Sequence, residues 1–329
     1  MRIAIALMVA TVSGGCAGAS TPPVSQPPSA APSVGPTSVP ATAIQIPAPS
    51  ELAVEGSTVW AIAGTDVARI DVATNKVTML GVSTEELDDL AATPTAIWVA
   101  DFDGSQVLKI DPATGKVIDR IATGAATGVL PVSGAIWVTN HHEGSVTRID
   151  PKTDKPIGTV VVGKIGVDGP QQLAEGAGSV WVDESNLDEV IRMDPATGAV
   201  VAHIPVGEHF SACGGLAATP SAVWVTGCHA TTAVIRIDPA TNTVVATVNL
   251  RGFAADPVII DGAVWVPIGG DGYIHELVRI DPATNLIDRE LPLDALVDIG
   301  GSAIAGGDLW IGNFTNAILR VPLSELSTP

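Results

Sequence analysis

Apolar residues in this chain fall in short runs of four to seven separated by turn residues, not at the three-to-four spacing of a helical face. Seven tryptophans mark the repeat. Trp60, Trp98, Trp137, Trp181, Trp224, Trp265 and Trp310 stand 38, 39, 44, 43, 41 and 45 residues apart, and each follows one or two small or β-branched residues, as in Ser179-Val180-Trp181-Val182. A second run follows each tryptophan and ends in Arg/Lys-Ile-Asp-Pro-Ala-Thr-Gly/Asn, with small variations, over residues 109–115, 192–198 and 236–242. A third run comes next, for example Val244-Val245-Ala246-Thr247-Val248, and a short segment such as Gly215-Leu216-Ala217-Ala218 precedes the tryptophan. Four short strands per period, seven times over, predict an all-β chain folded as a seven-bladed β-propeller with four-stranded blades.

The repeated aspartates Asp71, Asp111, Asp150, Asp194, Asp238 and Asp281 read as turn residues and not as catalytic ones. Asp caps the turn with its side chain, Pro sets φ at the next position, and Gly or Asn accepts the positive φ that reverses the chain. The tryptophans read as packing between blades. The last period is incomplete: after Ala317-Ile318-Leu319-Arg320-Val321 the chain ends before a fourth strand, while Thr42-Ala43-Ile44-Gln45-Ile46-Pro47 precedes the first blade. The N-terminal strand is therefore expected to complete the last blade and latch the ring, sparing an unpaired edge.

Composition supports a strand-rich chain, with 34 Gly and 25 Pro available for turns. The net charge of −19 excludes a partner recognised through its phosphates, so no nucleic-acid partner is expected. At the N-terminus, Arg2 precedes an apolar run from Ile3 to Val12 that is too short for a permanent membrane span and reads as a signal peptide. Val12-Ser13-Gly14-Gly15-Cys16 resembles a bacterial lipobox, with Ser13 where that motif usually has Leu. The organisation expected is a lipoprotein-type leader over residues 1–16 ending at a lipid-modified Cys16, a disordered Pro/Ser/Ala-rich tether over 17–41, and the propeller over 42–329. The tether's 25 residues reach up to about 75 Å in an extended polyproline-like form. These features place the domain outside the cytoplasm, as a monomer anchored to the bacterial cell membrane, or secreted if the leader is simply cleaved.

Trp137-Val138-Thr139-Asn140, followed by Arg148-Ile149-Asp150-Pro151, resembles the YVTN-type propeller repeat, and residues 42–329 fit that pattern. More loosely, the chain is similar to the streptogramin (virginiamycin B) lyase propellers, which implies seven blades with a tryptophan strand in each. That second resemblance also implies a Mg²⁺ ion and a Glu-Pro-His element in a loop entering an innermost strand. The corresponding loops here read Asp168-Gly169-Pro170-Gln171-Gln172, Ser211-Ala212-Cys213-Gly214-Gly215 and Ala255-Asp256-Pro257-Val258, none with that histidine, and Glu208-His209 lies several residues earlier. No catalytic residue of the lyases transfers to this chain.

In a four-stranded blade the loops between the second and third strands, and those between blades, open on one face, opposite the Asp-Pro turns. Five of six histidines fall there: His141, His142, His209, His229 and His275; His203 does not. Asp101, Asp103, Asn140, Glu143, Asp183, Glu184, Glu276 and Asn313 join them, and Asn140-His141-His142-Glu143 is the densest group. Imidazoles beside carboxylates could hold a divalent metal or supply a general base, or bind a ligand without chemistry. Cys213 and Cys228 lie in loops on the same face and are expected to form a disulfide in an oxidising compartment. Two functions remain open: a binding module for a small ligand or an envelope protein, and a metal-assisted lyase or hydrolase using the same face.

Overall fold

The computed structural model describes residues 38–166, 169–208, 210, 212–228, 231–269, 275–293 and 299–327, apart from the side chains of Cys213 and Ile299. The expectations for the leader, for Cys16, for the tether up to residue 37, and for His209 and His229 lie outside the described residues.

The chain folds into seven antiparallel sheets arranged as a β-propeller. Blade 1 runs from the axis outward through Pro49–Glu55, Thr58–Ala63, Asp66–Asp71 and Val77–Met79. The innermost strands of the next four blades are Leu87–Ala92, Ala126–Val132, Pro170–Gly176 and Ala212–Ala218. In blade 6 that strand is broken into Phe253–Ala254 and Val258–Ile260. Blade 7 supplies only Ile299–Ala305, Asp308–Asn313 and Ala317–Pro322 in sequence order, and Thr42–Gln45 adds its outer strand. The ladder pairs Thr42 with Arg320 and Gln45 with Ala317, which is the closure read from the sequence. Closure begins earlier than expected. Val39, 4 % exposed, donates its amide to Pro292 O of blade 6 at 2.9 Å and packs beside Leu291 and Leu293, so residues 38–41 already belong to the domain.

Burial explains why the strands read differently. Each tryptophan strand is covered on both faces by its neighbours and is apolar around the tryptophan, as in Ser179–Glu184, where Val180-Trp181-Val182 lead into Asp183 and Glu184 and every residue is buried. Outer strands such as Thr243–Asn249 alternate exposed and covered positions. Clusters run between blades: Trp60 of blade 1 packs with Leu90, Val99 and Leu108 of blade 2, and Trp310 of blade 7 packs with Val59 and Ile70 of blade 1. The Asp-Pro turns are built as predicted. Asp111 Oδ1 accepts from Ala113 N at 2.8 Å, Asp194 Oδ1 from Thr197 N at 2.7 Å, and the reversing residues Gly115, Gly198 and Asn242 have φ of 71°, 78° and 55°. Donation from these amides holds the carboxyls of Asp150, Asp194 and Asp281 below their ordinary range.

The basic residue preceding each Asp-Pro turn has a role that the repeat alone did not disclose. In blades 2 to 5 its side chain lies over its own blade's tryptophan and reaches the Asp-Pro turn of the next blade. Arg192 sits 5.0 Å from the Trp181 ring and donates to Pro239 O and Asn242 Oδ1 at 2.6 and 2.8 Å; Arg236 repeats this with Trp224, Pro282 O and Asn285 Oδ1. Arg320 closes the circle from Trp310 to Val72 O and Asn75 Oδ1 of blade 1. Blade 7 ends in the short helix Leu323–Leu326 instead of an Asp-Pro turn. There Arg289 takes the position over Trp265 and donates to Leu326 O at 2.8 Å. Cation–π contact by half-buried guanidinium groups and carbonyl capping thus join blade to blade.

Candidate functional site

The residues singled out on the histidine-bearing face are mostly engaged in building it. Asp101, Asn140, Glu184 and Asn313 each stand three residues after a tryptophan and cap the hairpin that follows. Asp101 accepts from Gly104 N and Gln106 Nε2, Asn140 donates to Ser145 Oγ and Thr147 Oγ1, Glu184 accepts from Leu187 N, and Asn313 accepts from Thr315 N. Glu143 Oε2 accepts from Ala125 N at 2.9 Å, and His141 Nδ1 accepts from Gly169 N at 3.2 Å. His142 is exposed, and its ring forms an aromatic group with His141 and with Phe102 of blade 2, at centroid distances of 5.6 and 5.1 Å. Asp103 is exposed, His275 is half-buried, and Glu276 is paired with Arg251 at 3.4 Å. The structure therefore brings Phe102, His141 and His142 together but leaves His275 on another blade. Among the described residues no group of three His, Cys, Asp or Glu side chains could hold a metal ion.

A different set of groups converges on the axis, just inside the same face. Near its start, each innermost strand shifts register, between Pro49 and Leu52 in blade 1, Leu87 and Leu90 in blade 2, and Pro170 and Leu173 in blade 4; in blade 6 it breaks around Asp256. These bulges turn successive residues toward the channel. Counting back nine residues from each tryptophan gives Glu51, Asp89, Gly128, Gln172, Gly215, Asp256 and Gly301, one per blade. Large and small residues share that ring. A Cβ on Gly301 would collide with Glu51 Oε2 of the neighbouring blade, and one on Gly215 would collide with Asp256 Oδ1. Gly215 also has φ of 127°, which a side chain rarely adopts.

Asp88 and Asp183 complete a group of five carboxyls with Glu51, Asp89 and Asp256. Asp89 accepts from Leu90 N and from Val129 N of blade 3, both at 2.7 Å. Asp183 is fully buried; its Oδ1 accepts from the bulge amides of Gln171 and Gln172 at 3.1 and 2.7 Å, while Oδ2 has no hydrogen-bond partner. Ser50, Glu51, Asp88, Thr127, Gln171 and Gln172 line a cavity of about 380 Å³ at the channel mouth, with Phe314 at its rim. A larger cavity of about 470 Å³ lies beside Trp265 and the C-terminal helix on the Asp-Pro side, but its cations are engaged, Arg279 with Asp288 and Arg289 with Leu326 O.

Crowding sets the electrostatics of the mouth. Burial, then the charges of Asp256, Asp89 and Asp88, push Glu51 well above the usual carboxylate range. Burial, with Glu86 and Asp103, raises Asp88 to about 7. For Asp89, burial outweighs the two amides it accepts from and gives about 7; burial alone does the same for Asp256. Burial lifts Asp183 to about 8 against the Gln172 and Gln171 amides, with Asp256 and Glu184 adding to the rise. No Lys or Arg among the described residues forms an ion pair with any of the five. The mouth can thus hold protons near neutral pH and exchange them for a positive charge.

Sequence reasoning had placed Asp183 on this face and Asp256 in a loop entering an inner strand, but it did not gather the ring. The available signal was the column nine residues before each tryptophan.

A seven-bladed β-propeller with a carboxyl-lined channel mouth is the class these observations define. No family model and no curated protein matches the sequence. Among solved structures, the chain is similar to hydrazine synthase of Kuenenia stuttgartiensis, at 16 % identity over 84 % of this chain and 96 % of that one, with a TM-score of 0.69. It is also similar to a chain in the crystal structure of a mitotic checkpoint complex, at 14 % identity over 94 % of this chain and 99 % of that one, with a TM-score of 0.74. At such identities the likeness shows the fold alone.

Proposed function

We propose that this chain is a ligand-binding propeller whose site is the mouth of the central channel, held outside the bacterial cell membrane by a lipid on Cys16. The observation that carries the site is a cavity lined by Glu51, Glu86 and Asp88 of blades 1 and 2, with Asp89 and Asp256 close enough to act on Glu51, and with no basic side chain among the described residues paired to any of these acids. Asp89 and Asp183 hold backbone amides, but unpaired acids in a crowded channel destabilise the fold, so the presence of Glu51, Asp88 and Asp256 there fits a recognition role better than a structural one. The lipobox-like Val12-Ser13-Gly14-Gly15-Cys16 and the Pro/Ser/Ala-rich tether support the anchored location, and the Trp-Val-Thr-Asn text supports grouping the chain with YVTN-type propellers. A disulfide between Cys213 and Cys228 fits the same location. It is supported by the ladder that sets Ala212 opposite Gly227, which brings the residues following each to one end of blade 5.

The test is a thermal-shift screen of neutral, anionic and cationic small molecules against the full chain and a Gln172→Trp variant that fills the mouth. A stabilising ligand lost in the variant is the expected result. Stabilisation by the same compounds in both proteins, or by none, would remove the mouth as the site.

A further inference from the structure

We infer that the junction between blades 6 and 7, on the Asp-Pro side of the ring, is a docking notch for a partner protein, and that it takes a β-turn carrying a free carbonyl and an Asn or Asp side chain. The other six junctions of the ring supply the template.

Each tryptophan is opposed in its ladder by a basic residue of the next strand, as Trp224 is by Arg236, Trp265 by Arg279 and Trp310 by Arg320. Six of these seven cations donate to a carbonyl in the turn of the following blade. In four of the six the last turn residue adds its Oδ1: Asp154 toward Lys109, Asn242 toward Arg192, Asn285 toward Arg236 and Asn75 toward Arg320. Arg279 is the seventh. Blade 7 has no such turn to offer it, because its third strand runs into the helix Leu323–Leu326 and its fourth strand is Thr42–Gln45.

The consequence is a displaced cation beside open space. Arg279 is turned onto Asp288 of its own blade, while Arg289 lies over Trp265 and donates to Leu326 O and Glu325 O. Both arginines line the cavity of about 470 Å³, together with Asp261 and Ser327, and that volume lies in the range of recognition sites. Cavities beside Arg69 and Arg192 are smaller, about 380 and 360 Å³, and there the turn of the next blade is in place. The side chains of the Arg279–Asp288 pair are 35 % and 38 % exposed, and an ion pair so exposed contributes little, so its release costs little. A guanidinium that meets a carbonyl and a side-chain oxygen together makes two charge-assisted bonds, the arrangement that Arg192 and Arg236 already make.

The partner is a different protein. A second copy would bring another net charge of −19, and all six of its Asp turns are already held by its own cations.

The probe is a cyclic peptide closed around Asp-Pro-Ala-Thr-Asn-Thr, the text of residues 238–243, titrated by fluorescence polarisation against the full chain in detergent beside the same ring with Ala for Asn. The expected result is saturable binding at one site, weakened by about tenfold or more in Arg279→Met and for the Ala ring. Arg279→Lys should recover part of the loss, since Lys109 serves the equivalent turn in blade 2. Ser327→Trp, at the exposed end of the helix, should block the notch and leave thermal unfolding unchanged. Binding unaltered by both Arg279→Met and Ser327→Trp, no saturable binding at millimolar peptide, or binding lost instead in Arg236→Met would overturn the assignment. Self-association in sedimentation that Arg279→Met abolishes would seat a second copy in the notch and overturn the choice of partner.

Discussion

Replacing Asp183 by Asn should stabilise the domain at neutral pH and not in acid. Asp183 is fully buried and its carboxyl is raised to about 8, against roughly 3.9 in an unfolded chain. Between these values the folded state keeps its proton while the unfolded state releases one, so the unfolded state binds fewer protons and stability falls as pH rises. Below about pH 4 both states are protonated and no penalty exists; above about pH 8 both are ionised and the penalty is constant. At pH 7 roughly three units of difference correspond to about 4 kcal/mol, and relaxation around the charge with its coupling to Asp256 reduces this to about 2 kcal/mol. Asn retains an oxygen for the Gln171 and Gln172 amides, but its NH₂ replaces an oxygen that has no partner, at a pH-independent cost of about 1 kcal/mol. The variant should therefore unfold slightly below the parent near pH 4 and about 2–5 °C above it near pH 8, with the crossover between. Thermal unfolding followed by circular dichroism across that range, in low salt without amines, reads the effect. A difference between the two proteins that does not change with pH would refute the proton linkage, even if Asn proved stabilising.

Other parts of the fold yield further tests. Gly301→Ala should lower stability by about 1–3 kcal/mol, because the new methyl meets the Glu51 carboxylate, and Glu51→Ala should restore much of the loss in a double-mutant cycle. Arg236→Met keeps the apolar stem over Trp224 but removes the bonds to Pro282 O and Asn285 Oδ1, so urea unfolding should show a loss of about 1–3 kcal/mol, with Arg236→Lys recovering part of it. Cys16→Ser should abolish incorporation of labelled fatty acid and move the protein from the membrane to the soluble fraction; retention of the label on the variant would reject the lipid anchor.

The architecture was legible because each blade repeats the same physical problem. A tryptophan strand covered on both sides is apolar around its tryptophan, and the reversal after the next strand needs Asp, Pro and a residue tolerant of positive φ, so both texts recur at one spacing. The closing strand was legible for the same reason: Ile44 completes the outer edge that Ile318 would otherwise expose. The link carried by Arg192, Arg236 and Arg320 was not, since each of these cations serves its own tryptophan and the turn of a blade that lies 40 or more residues away in sequence, or at the opposite end of the chain. Residues 38–41 were likewise assigned to the tether because their composition continues it, whereas a single buried side chain, Val39, ties them to blade 6.

The site was less legible because density of polar residues along the chain is a poor guide to density in space. Asn140-His141-His142-Glu143 is crowded in sequence, yet Asn140, Glu143 and His141 are turned to hairpin and loop amides. Glu51 and Asp256 are isolated in sequence and meet Asp89, the end of the acidic run Glu85-Glu86-Leu87-Asp88-Asp89, only because a propeller brings equivalent positions of every blade to one axis. In a closed ring, the informative unit is a column across repeats rather than a motif within one. That column reads Glu, Asp, Gly, Gln, Gly, Asp, Gly. The glycines have a packing reason, since two of them make room for the carboxylates of the next blade. Asp89 has a structural reason too, since it accepts from Leu90 N and from Val129 N of blade 3, but Glu51 and Asp256 have none, because apolar side chains of similar volume would fill the same space without the cost of crowding charge. A structural role therefore accounts for the small members of the ring and for Asp89, and leaves Glu51 and Asp256 to be explained by what the channel binds.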